Sequence, residues 1–564
     1  MNREYNLVEF FSGIGSQAKA LKNLGVKINT LGTCEWDIHA IVAYDLIHTQ
    51  GEISENILKL GKSELLDLLK KYTFSNTGKE ALGDRSLRSY SVETLRRIYA
   101  SVQRNKNHVD ISQLSGSEMP EGIDILTYSF PCQDLSNVGA FHGYNKGIDK
   151  DSGSRSSLLW QVGRILTEMN QQGKSLPRFL LMENVPTLLS DRHIGNFNTW
   201  ISDLEKLGYI NKYFQLNASS FGLPQNRPRL LMISVHVGED EFRKELISKY
   251  FDSKTEKNVV SDYVESKFYQ KYSVSDLLRI NYDNPKIFSE AVDCTPNDTV
   301  SRRKIWDENP QLVLPGNAVN PVFNEIRTIT TKQDRNPNSG NLYFESGIEG
   351  RSKFRYLTPR ECLLFMGFTD EDYRKLKNNN VEFHKGDALF ARDKVIRMAG
   401  NSIPVKLLEG IFYQVLQIDD VLKEYEKTVD LRDSLEERTT EPDKTIRSYL
   451  FSKGIRSRLT GEPYPEDADI VYPKYHTAIY LRTCFVKCRN GKDCCFSARN
   501  RKLLCGESVQ TDNAAFEMGW KALIVWHCAL SKERLNDTLT WIEKNVCDGE
   551  REITAKEGQV LFRG

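Results

Sequence analysis

Short apolar runs that end in glycine or polar residues alternate with helical patterns through the first 235 residues. They predict five strands: Asn6–Phe11, Ile28–Cys34, Ile123–Tyr128, Phe179–Met182 and Leu230–Val235. Strands that alternate with helices favour a mostly parallel sheet covered by helices on both faces. Ligands bind such sheets at the carboxyl ends of the strands. The residues that directly follow each run are therefore the first candidates for function.

Length, charge and hydropathy narrow the class of protein. A chain of 564 residues predicts about three to four folding units. The net charge of +1 means that a nucleic-acid site would need a local cluster of basic residues. No apolar run is long enough to span a bilayer, and the amino terminus lacks the pattern of a secretory signal. We therefore expect a cytoplasmic protein without a membrane partner.

The turn after the first predicted strand has the composition of a ligand-binding glycine turn. Phe11, Gly13, Ile14 and Gly15 lie between that strand and a helical pattern, where backbone N–H groups can approach a ligand. A tight structural turn explains the same residues.

Acidic residues follow the next two predicted strands. Glu35 ends the second strand, where an acid meets ribose hydroxyls in nucleotide-type folds, and Trp36 is placed to lie against an adenine ring. Asp110, followed by Ile111, is placed at the end of a third strand to accept from an adenine amino group. Taken singly, a helix cap and a core tryptophan are equally good interpretations.

Pro131, Cys132 and Gln133 follow the strand Ile123–Tyr128 and precede a glycine-containing stretch, residues 134–150. With this segment included, the chain resembles the DNA cytosine-5 methyltransferases from residue 6 to about 412. The motifs occur in the order of that family: FFSGIG (10–15), EWD (35–37), PCQDLSNVG (131–139), SGSRSSLLW (152–160), ENV (183–185), QNRPR (225–229), RTITT (327–331), RYLTPRECLLFMGF (355–368) and GNSIPV (400–405).

The resemblance implies a catalytic set of Cys132, Glu183, Arg227 and Arg229. A thiolate that adds to C6 of cytosine makes C5 nucleophilic, which is the role implied for Cys132. Glu183 would act on N3 as a general acid, which requires a raised pKa. The two arginines would orient the base carbonyl and the catalytic carboxylate. A structural cysteine and ordinary ion pairs are the alternatives that the residues alone leave open.

The resemblance also implies a cofactor, a substrate and partners. The cofactor is S-adenosyl-L-methionine, bound by Phe11, Gly13, Ile14, Gly15, Glu35, Trp36, Asp110, Ile111, Pro131, Asn401 and Ser402. The substrate is double-stranded DNA with the target base flipped out, contacted by Gln133 and Ser136. A restriction–modification role, a cognate restriction endonuclease and a monomeric protein are expected. RNA remains an alternative substrate, because the active-site motifs do not separate the two nucleic acids.

The carboxyl-terminal part resembles the very-short-patch repair endonucleases through TTEPDKTIR (439–447), EDADIVYPKYHTAIYLRTCF (466–485) and GWKALIVWHCAL (519–530). Asp469 matches the metal-binding aspartate of that family, where Mg²⁺ would bind if the module is an active nuclease, and Asp443 matches the position of its helical acid. A structural Zn²⁺ is implied at Cys484, Cys488, Cys494 and Cys528, whose thiolates suit tetrahedral ligation, and Cys495 is an alternative to Cys494.

Two departures from the endonuclease family bear on activity. Arg482 and Lys487 stand where that family has catalytic histidines. We therefore favour a degenerate nuclease or a DNA-binding appendage, and a bifunctional methyltransferase–endonuclease remains open.

The predicted fold class is α/β. It comprises a Rossmann-like S-adenosylmethionine-dependent methyltransferase sheet, a small target-recognition domain and a carboxyl-terminal α/β restriction-endonuclease-like zinc module. The predicted boundaries are 1–235 for the catalytic domain with a helical insertion at 51–106, 236–325 for target recognition, 326–418 for the return to the catalytic domain, 419–438 for a linker and 439–564 for the endonuclease-like module.

Overall fold

A computed structural model gives the structure of the protein. It describes residues 4–131, 148, 155–333, 340–384, 386–436, 442–458, 464–465, 468–482, 518–526, 530, 535–547 and 559–561. The chain divides into two compact units, Met1–Leu416 and Gln417–Gly564.

The strands are β1 Glu4–Phe10, β2 Lys27–Cys34, β3 Ile125–Tyr128, β4 Phe179–Asn184, β5 Tyr209–Asn217, β6 Gln225–Asn226, β7 Pro228–His236, β8 Gln311–Leu314, β9 Ala318–Val319, β10 Ile326–Arg327, β11 Asn341–Tyr343, β12 Phe354–Arg355, β13 Glu382–His384, β14 Asp387–Ala388, β15 Ile470–Tyr472, β16 Thr477–Arg482, β17 Lys521–Trp526 and β18 Gln559–Leu561.

The α-helices are α1 Ser16–Asn23, α2 Ile38–His48, α3 Glu55–Lys59, α4 Lys62–Leu69, α5 Asp84–Ser89, α6 Val92–Arg104, α7 Leu159–Gln171, α8 Ile194–Lys206, α9 Glu241–Asp252, α10 Glu256–Val264, α11 Val274–Leu277, α12 Pro285–Asp293, α13 Val300–Glu308, α14 Pro359–Phe365, α15 Asp370–Asn378, α16 Arg392–Asn401, α17 Val405–Glu436, α18 Pro442–Ser452 and α19 Leu535–Cys547.

The central sheet of the first unit has the strand order β2-β1-β3-β4-β7-β5. Neighbouring strands from β2 to β4 are parallel, whereas β7 is antiparallel to both β4 and β5. All five strands predicted from apolar runs are present, and β5 is an additional strand. The polar residues of its sequence, YINKYFQLN, hid it from the hydropathy pattern. The carboxyl ends of β1 to β4 lie at one edge, which positions the site.

Beside β2, at the position of the strand predicted before Asp110, the structure has a single isolated β-bridge. Thr33 and Asn107 form an isolated parallel bridge, and His108 N–H donates to the Thr33 carbonyl at 2.9 Å. Val109 then adopts a φ of 65°, which ends the extended backbone. The strand expected before Asp110 is therefore no longer than this bridge.

The insertion at residues 51–106 packs onto the sheet unit rather than projecting as an arm. Helix α6 buries Leu95 and Ile98 and packs against α2. Asp45 of α2 forms an ion pair with Arg104 and accepts from the Asn105 amide at 3.0 Å. These buried polar contacts fix the insertion to the helix that follows the EWD motif.

The structure divides the stretch 236–325, which was predicted as one recognition domain. Helices α9 and α10 pack on β5, and their buried apolar residues include Phe251, Val259 and Tyr263. The rest leads into a separate four-stranded sheet of order β12-β11-β8-β9. Two of its strands, β11 and β12, come from residues 341–355, beyond the predicted boundary at 326. Strand β10, which lies between β9 and β11 in the sequence, pairs instead with β6.

A single helix, α17, covers most of the predicted linker at 419–438 and begins before it. It runs for 32 residues from Val405 to Glu436. No helix among the described residues is long and apolar enough to cross a membrane.

The second unit has a four-stranded sheet of order β15-β16-β17-β18. Strand β15 is antiparallel to β16, and the other pairs are parallel. Helices α18 and α19 contribute Ile446, Leu450, Leu539 and Ile542 to a core with the buried residues of the sheet.

Candidate active site

The turn between β1 and α1 is held in a left-handed conformation at several residues. Phe11 has a φ of 55° and its N–H donates to the Cys34 carbonyl at 2.7 Å. Gly15 has a φ of 78°, and a Cβ there would lie 2.2 Å from His48 Nε2. The same His48 nitrogen contacts the Ile14 carbonyl at 3.0 Å. Only glycine fits this position, so the FFSGIG turn is fixed by packing as well as by backbone conformation.

Glu35 joins this turn to the EWD segment. Its carboxylate accepts from Gly13 N–H at 2.9 Å, from Trp36 N–H at 2.9 Å and from Asp37 N–H at 2.8 Å. Burial, followed by the nearby charge of Asp37, raises the pKa of Glu35 to about 7. The structure therefore places an acid with acceptor oxygens directly against the glycine turn.

Asp110 lies beside the same edge of the sheet, beyond β2. Its carboxylate accepts from the Ser112 N–H at 3.0 Å and from the Gln113 amide at 3.2 Å. The following residue, Ile111, is buried in the core.

The three residues after β3 are each held by a different sequence motif. Ser129 hydroxyl donates to the Phe11 carbonyl at 3.3 Å, and the Asn184 amide donates to the Phe130 carbonyl at 3.1 Å. The Ser156 hydroxyl donates to the carbonyl of Pro131 at 2.6 Å. The backbone that leads into Cys132 is thus anchored to the FFSGIG, ENV and SGSRSSLLW motifs.

Glu183 and Arg229 form a close ion pair between β4 and β7. Arg229 Nε lies 2.7 Å from Glu183 Oε1, and each side chain is 12% exposed. Burial raises the pKa of Glu183, and the charges of Arg229 and Arg227 oppose part of that rise. A raised pKa favours the protonated form of the carboxyl group, which is the form that general acid catalysis requires.

Arg227 has different hydrogen-bond partners from Arg229. It is 2% exposed, and its guanidinium donates to the carbonyls of Ile329 at 2.7 Å, Gly400 at 2.7 Å and Ser402 at 2.8 Å. A Cβ on Gly400 would lie 2.5 Å from the Thr330 carbonyl carbon. Arg227 therefore joins the RTITT and GNSIPV motifs, whereas the sequence predicted it to orient the base together with Arg229.

Ser402 caps the end of α16. Its N–H and hydroxyl both donate to the Met398 carbonyl, at 3.0 and 2.8 Å. Asn401 is the last residue of α16 and is exposed.

Comparison with known proteins gives matches over both parts of the chain. The C-5 cytosine-specific DNA methylase family matches residues 70–417. Type II methyltransferase M2.ScrFI from Lactococcus lactis subsp. cremoris is 31% identical over 422 residues, which cover 72% of this chain and 98% of that protein.

The chain belongs to the C-5 cytosine-specific DNA methylases.

A second relative, a solved structure and a second family model also match the chain. Orphan methyltransferase M.SssI from Spiroplasma monobiae is 31% identical over 419 residues, which cover 73% of this chain and 97% of that protein. The crystal structure of S. pombe Dnmt2 methyltransferase covers 74% of this chain and 99% of its own, at 14% identity and a TM-score of 0.43. The DNA mismatch endonuclease Vsr family matches residues 420–495. Both resemblances inferred from the motifs are thus confirmed.

The protein is a C-5 cytosine DNA methyltransferase of the restriction–modification type, and DNA is the substrate of its family. S-adenosylmethionine is the cofactor of this family. Several sequence-predicted residues of this methyltransferase lie outside the described residues. They are Cys132, Gln133, Ser136, Cys484, Cys488, Cys494 and Cys528.

The described part of the second unit uses Asp469 to hold its sheet together. The Asp469 carboxylate accepts from the Leu481 N–H at 2.6 Å, and its own N–H donates to the Ile479 carbonyl at 2.9 Å. Asp443 lies in the first turn of α18. Within the described ranges, no group of three histidine, cysteine or acidic side chains is placed to hold a metal ion.

Several residues that build the site lie in recognised motifs but were not predicted as site residues. Asn184, Ser156 and Gln225 lie inside recognised motifs and hold backbone from other motifs. The Gln225 amide donates to the Phe365 carbonyl at 2.9 Å and accepts from the Ile329 N–H at 3.0 Å. The position of these three residues within ordered motifs could have identified them. His48 lies in none of the recognised motifs, so no sequence pattern pointed to it.

Proposed function

We propose that this methyltransferase transfers the methyl group of S-adenosyl-L-methionine to C5 of a cytosine flipped out of duplex DNA, with Cys132 as the covalent nucleophile. The observation that carries the proposal is the pairing of Glu183 with Arg229 at 2.7 Å. Glu183 lies on β4, which pairs with β3, and β3 leads into the anchored segment before Cys132. These residue types in this arrangement suit nucleophilic addition to a pyrimidine ring.

The reaction begins with addition of the Cys132 thiolate to C6. Negative charge then develops on the ring, and a proton from the Glu183 carboxyl to N3 neutralises it. The resulting enamine would be nucleophilic at C5, where the bound cofactor would supply its methyl group and be left as the thioether S-adenosylhomocysteine. Water would then take the C5 proton as the Cys132 thiolate leaves C6, and N3 would return its proton to Glu183, which restores the aromatic ring. Hydrogen bonds to the carbonyls of Phe130 and Pro131 fix the backbone just before Cys132. Addition of the thiolate therefore needs little backbone reorganisation.

Arg229 has two tasks in this scheme. It orients the Glu183 carboxyl through the ion pair, and its positive charge lies where the base carbonyl would gain negative charge. Arg227 supports the site indirectly, since its guanidinium is occupied by three backbone carbonyls.

The residues at the strand ends fit S-adenosylmethionine. The buried Glu35 carboxylate suits ribose hydroxyls, Trp36 offers an aromatic face, and Asp110 suits the adenine amino group. Phe11, Gly13, Ile14, Gly15, Ile111, Pro131, Asn401 and Ser402 complete the proposed pocket. When bound, the cofactor supplies an electrophilic methyl group on a sulfonium centre.

DNA binding is proposed at two regions. Gln133 and Ser136 contact the opened duplex, and the separate sheet β12-β11-β8-β9 with α12 and α13 reads the target sequence. Arg302, Arg303 and Lys304 are candidate phosphate contacts and lie on α13. Duplex DNA is favoured over RNA because the family match is to DNA methylases.

The second unit is proposed as a DNA-binding appendage with a structural zinc ion held by Cys484, Cys488, Cys494 and Cys528. The use of the Asp469 carboxylate in pairing β15 to β16 favours this function over Mg²⁺-dependent cleavage. Metal analysis of purified protein should find one zinc per chain, which Cys484→Ala removes. Cleavage of DNA with Mg²⁺ that Asp469→Ala abolishes would establish the nuclease instead.

A methylation assay tests the main proposal. Purified protein with labelled S-adenosylmethionine and mixed-sequence duplex DNA should give 5-methylcytosine, and bisulfite sequencing of the product gives the target sequence. Cys132→Ser should remove nearly all product. Wild-type protein that methylates another base, or a Cys132→Ser variant that retains activity, would contradict it.

A further inference from the structure

We propose that residues 73–82 of the helical insertion, here called the insertion loop, position the adenosine end of the cofactor site. The inference rests on the proposed function, because it takes Glu35 and Asp110 as cofactor-binding residues. The insertion loop contacts the segments that carry both acids, although it belongs to neither of their motifs.

The first contact is a short strand-like pairing with the EWD motif. Ser75 N–H donates to the Trp36 carbonyl at 2.8 Å, and Ile38 N–H donates to the Ser75 carbonyl at 2.9 Å. Ser75 is fully buried. Since the Glu35 carboxylate accepts from the backbone of Trp36 and Asp37, the loop fixes the backbone on which that carboxylate rests.

The insertion loop is itself closed by hydrogen bonds. The Ser75 hydroxyl donates to the Glu80 carbonyl at 2.7 Å and accepts from Gly78 N–H at 2.9 Å. Leu82 N–H donates to the carbonyl of the buried Phe74 at 2.7 Å. These bonds give the loop a defined shape, as a positioning element requires.

The second contact reaches Asp110 through one side chain. The Gln113 amide donates to the Thr73 hydroxyl at 2.9 Å and to the Asp110 carboxylate at 3.2 Å. A single amide group therefore connects the insertion loop with the acid proposed to accept from the adenine amino group.

The third contact comes from the helix that precedes Ser402. Arg397 of α16 donates to the Asn76 carbonyl at 2.9 Å and to the Asp37 carboxylate at 2.7 Å. The loop is thereby joined to the three chain segments that supply Glu35, Asp110 and Asn401. Holding these groups in place before binding reduces the ordering that binding would otherwise cost.

The test measures binding of S-adenosylhomocysteine, which needs no catalysis. Gln113→Leu and Thr73→Val each remove one partner of the contact to Asp110 and keep the size of the side chain. Calorimetric titration of the full chain should show Kd raised about threefold to tenfold, the effect of one lost hydrogen bond. The KM for S-adenosylmethionine should rise in parallel, while kcat at saturating cofactor stays within about twofold, because neither residue touches the reacting atoms.

Gln103→Leu is the matched control. Gln103 is an exposed glutamine of α6 whose amide approaches the Tyr72 hydroxyl at 3.5 Å, within the same insertion. It should leave both the melting temperature and Kd unchanged. The double variant Thr73→Val, Gln113→Leu should bind no more weakly than Gln113→Leu alone, since Gln113→Leu already removes the hydrogen bond to Thr73.

The outcomes separate this inference from the proposed function. Wild-type protein that binds no S-adenosylhomocysteine overturns the proposed cofactor site and the inference with it. Wild-type protein that binds it, with Gln113→Leu and Thr73→Val binding equally well, overturns the inference alone. Variants that lower only the melting temperature give the insertion loop a structural role and also overturn the inference.

Discussion

Glu183 of the first unit and Asp469 of the second are both acids at strand ends, yet their surroundings differ. Glu183 is 12% exposed and paired with Arg229 from another strand, and burial raises its pKa. Asp469 is exposed and its carboxylate accepts from a backbone N–H of the neighbouring strand. The difference shows that position at a strand end does not determine the environment of an acid. Groups brought from other parts of the chain determine it.

The largest expected effect is on Glu183. Glu183→Gln removes the proton donor while keeping the shape of the side chain, and kcat should fall about 10²–10⁴-fold. Asp469→Asn should leave methylation unchanged. Initial rates with labelled S-adenosylmethionine at saturating DNA compare the two variants. If Glu183→Gln methylated DNA at the wild-type rate, the proposed difference between Glu183 and Asp469 would be contradicted.

Arg227 and Arg229, the two arginines of QNRPR, should differ in their effects on catalysis. Arg229→Gln should lower kcat about 10²–10³-fold through loss of charge stabilisation. A general acid works in its protonated form, so activity falls as pH rises through its pKa. Arg229 holds the pKa of Glu183 down, and its removal should move this alkaline limb to higher pH.

Arg227→Lys provides the matching measurement. It keeps the positive charge but cannot reach three carbonyls, so the alkaline limb should stay in place while the free energy of unfolding falls by about 3 kcal/mol. A pH–rate profile and a denaturant titration distinguish the two variants. Equal shifts of the alkaline limb in both would contradict the separate roles.

Glu9 can be compared with Glu183 and Asp469 as a buried acid that accepts a hydrogen bond from a hydroxyl group. Glu9 is fully buried on β1, and Tyr44 donates a hydrogen bond to it. Burial raises its pKa from 4.5 to about 7. Its contribution to stability is therefore complete below about pH 4.5 and is lost as pH rises through 7.

Glu9→Gln should accordingly flatten the pH dependence of folding. Between pH 5 and 8 the free energy of unfolding of the wild type should fall by about 2–3 kcal/mol more than that of the variant. Denaturant titrations at several pH values measure this. Parallel curves for the two proteins would mean that Glu9 does not titrate in this range.

Particular residues show what the sequence could predict and where it failed. The strand-end positions of Glu35 and Glu183 followed from local patterns and motif order, because apolar runs mark strands and their ends share one edge. Arg227 could not be placed in this way, since its three carbonyl partners lie 102, 173 and 175 residues further along the chain. Tertiary contacts of that separation leave no periodic signal. The pairing of β11 and β12 with a sheet begun at residue 311 was not predictable for the same reason.

Covalent trapping tests the central claim most directly. In duplex DNA that carries 5-fluorocytosine, the fluorine cannot leave C5 as a proton does, so an enzyme bonded to C6 stays attached after methyl transfer. The account predicts a protein–DNA adduct that survives denaturing electrophoresis, requires S-adenosylmethionine and is absent with Cys132→Ser. Wild-type protein that methylates ordinary DNA of the same sequence but forms no adduct would contradict it.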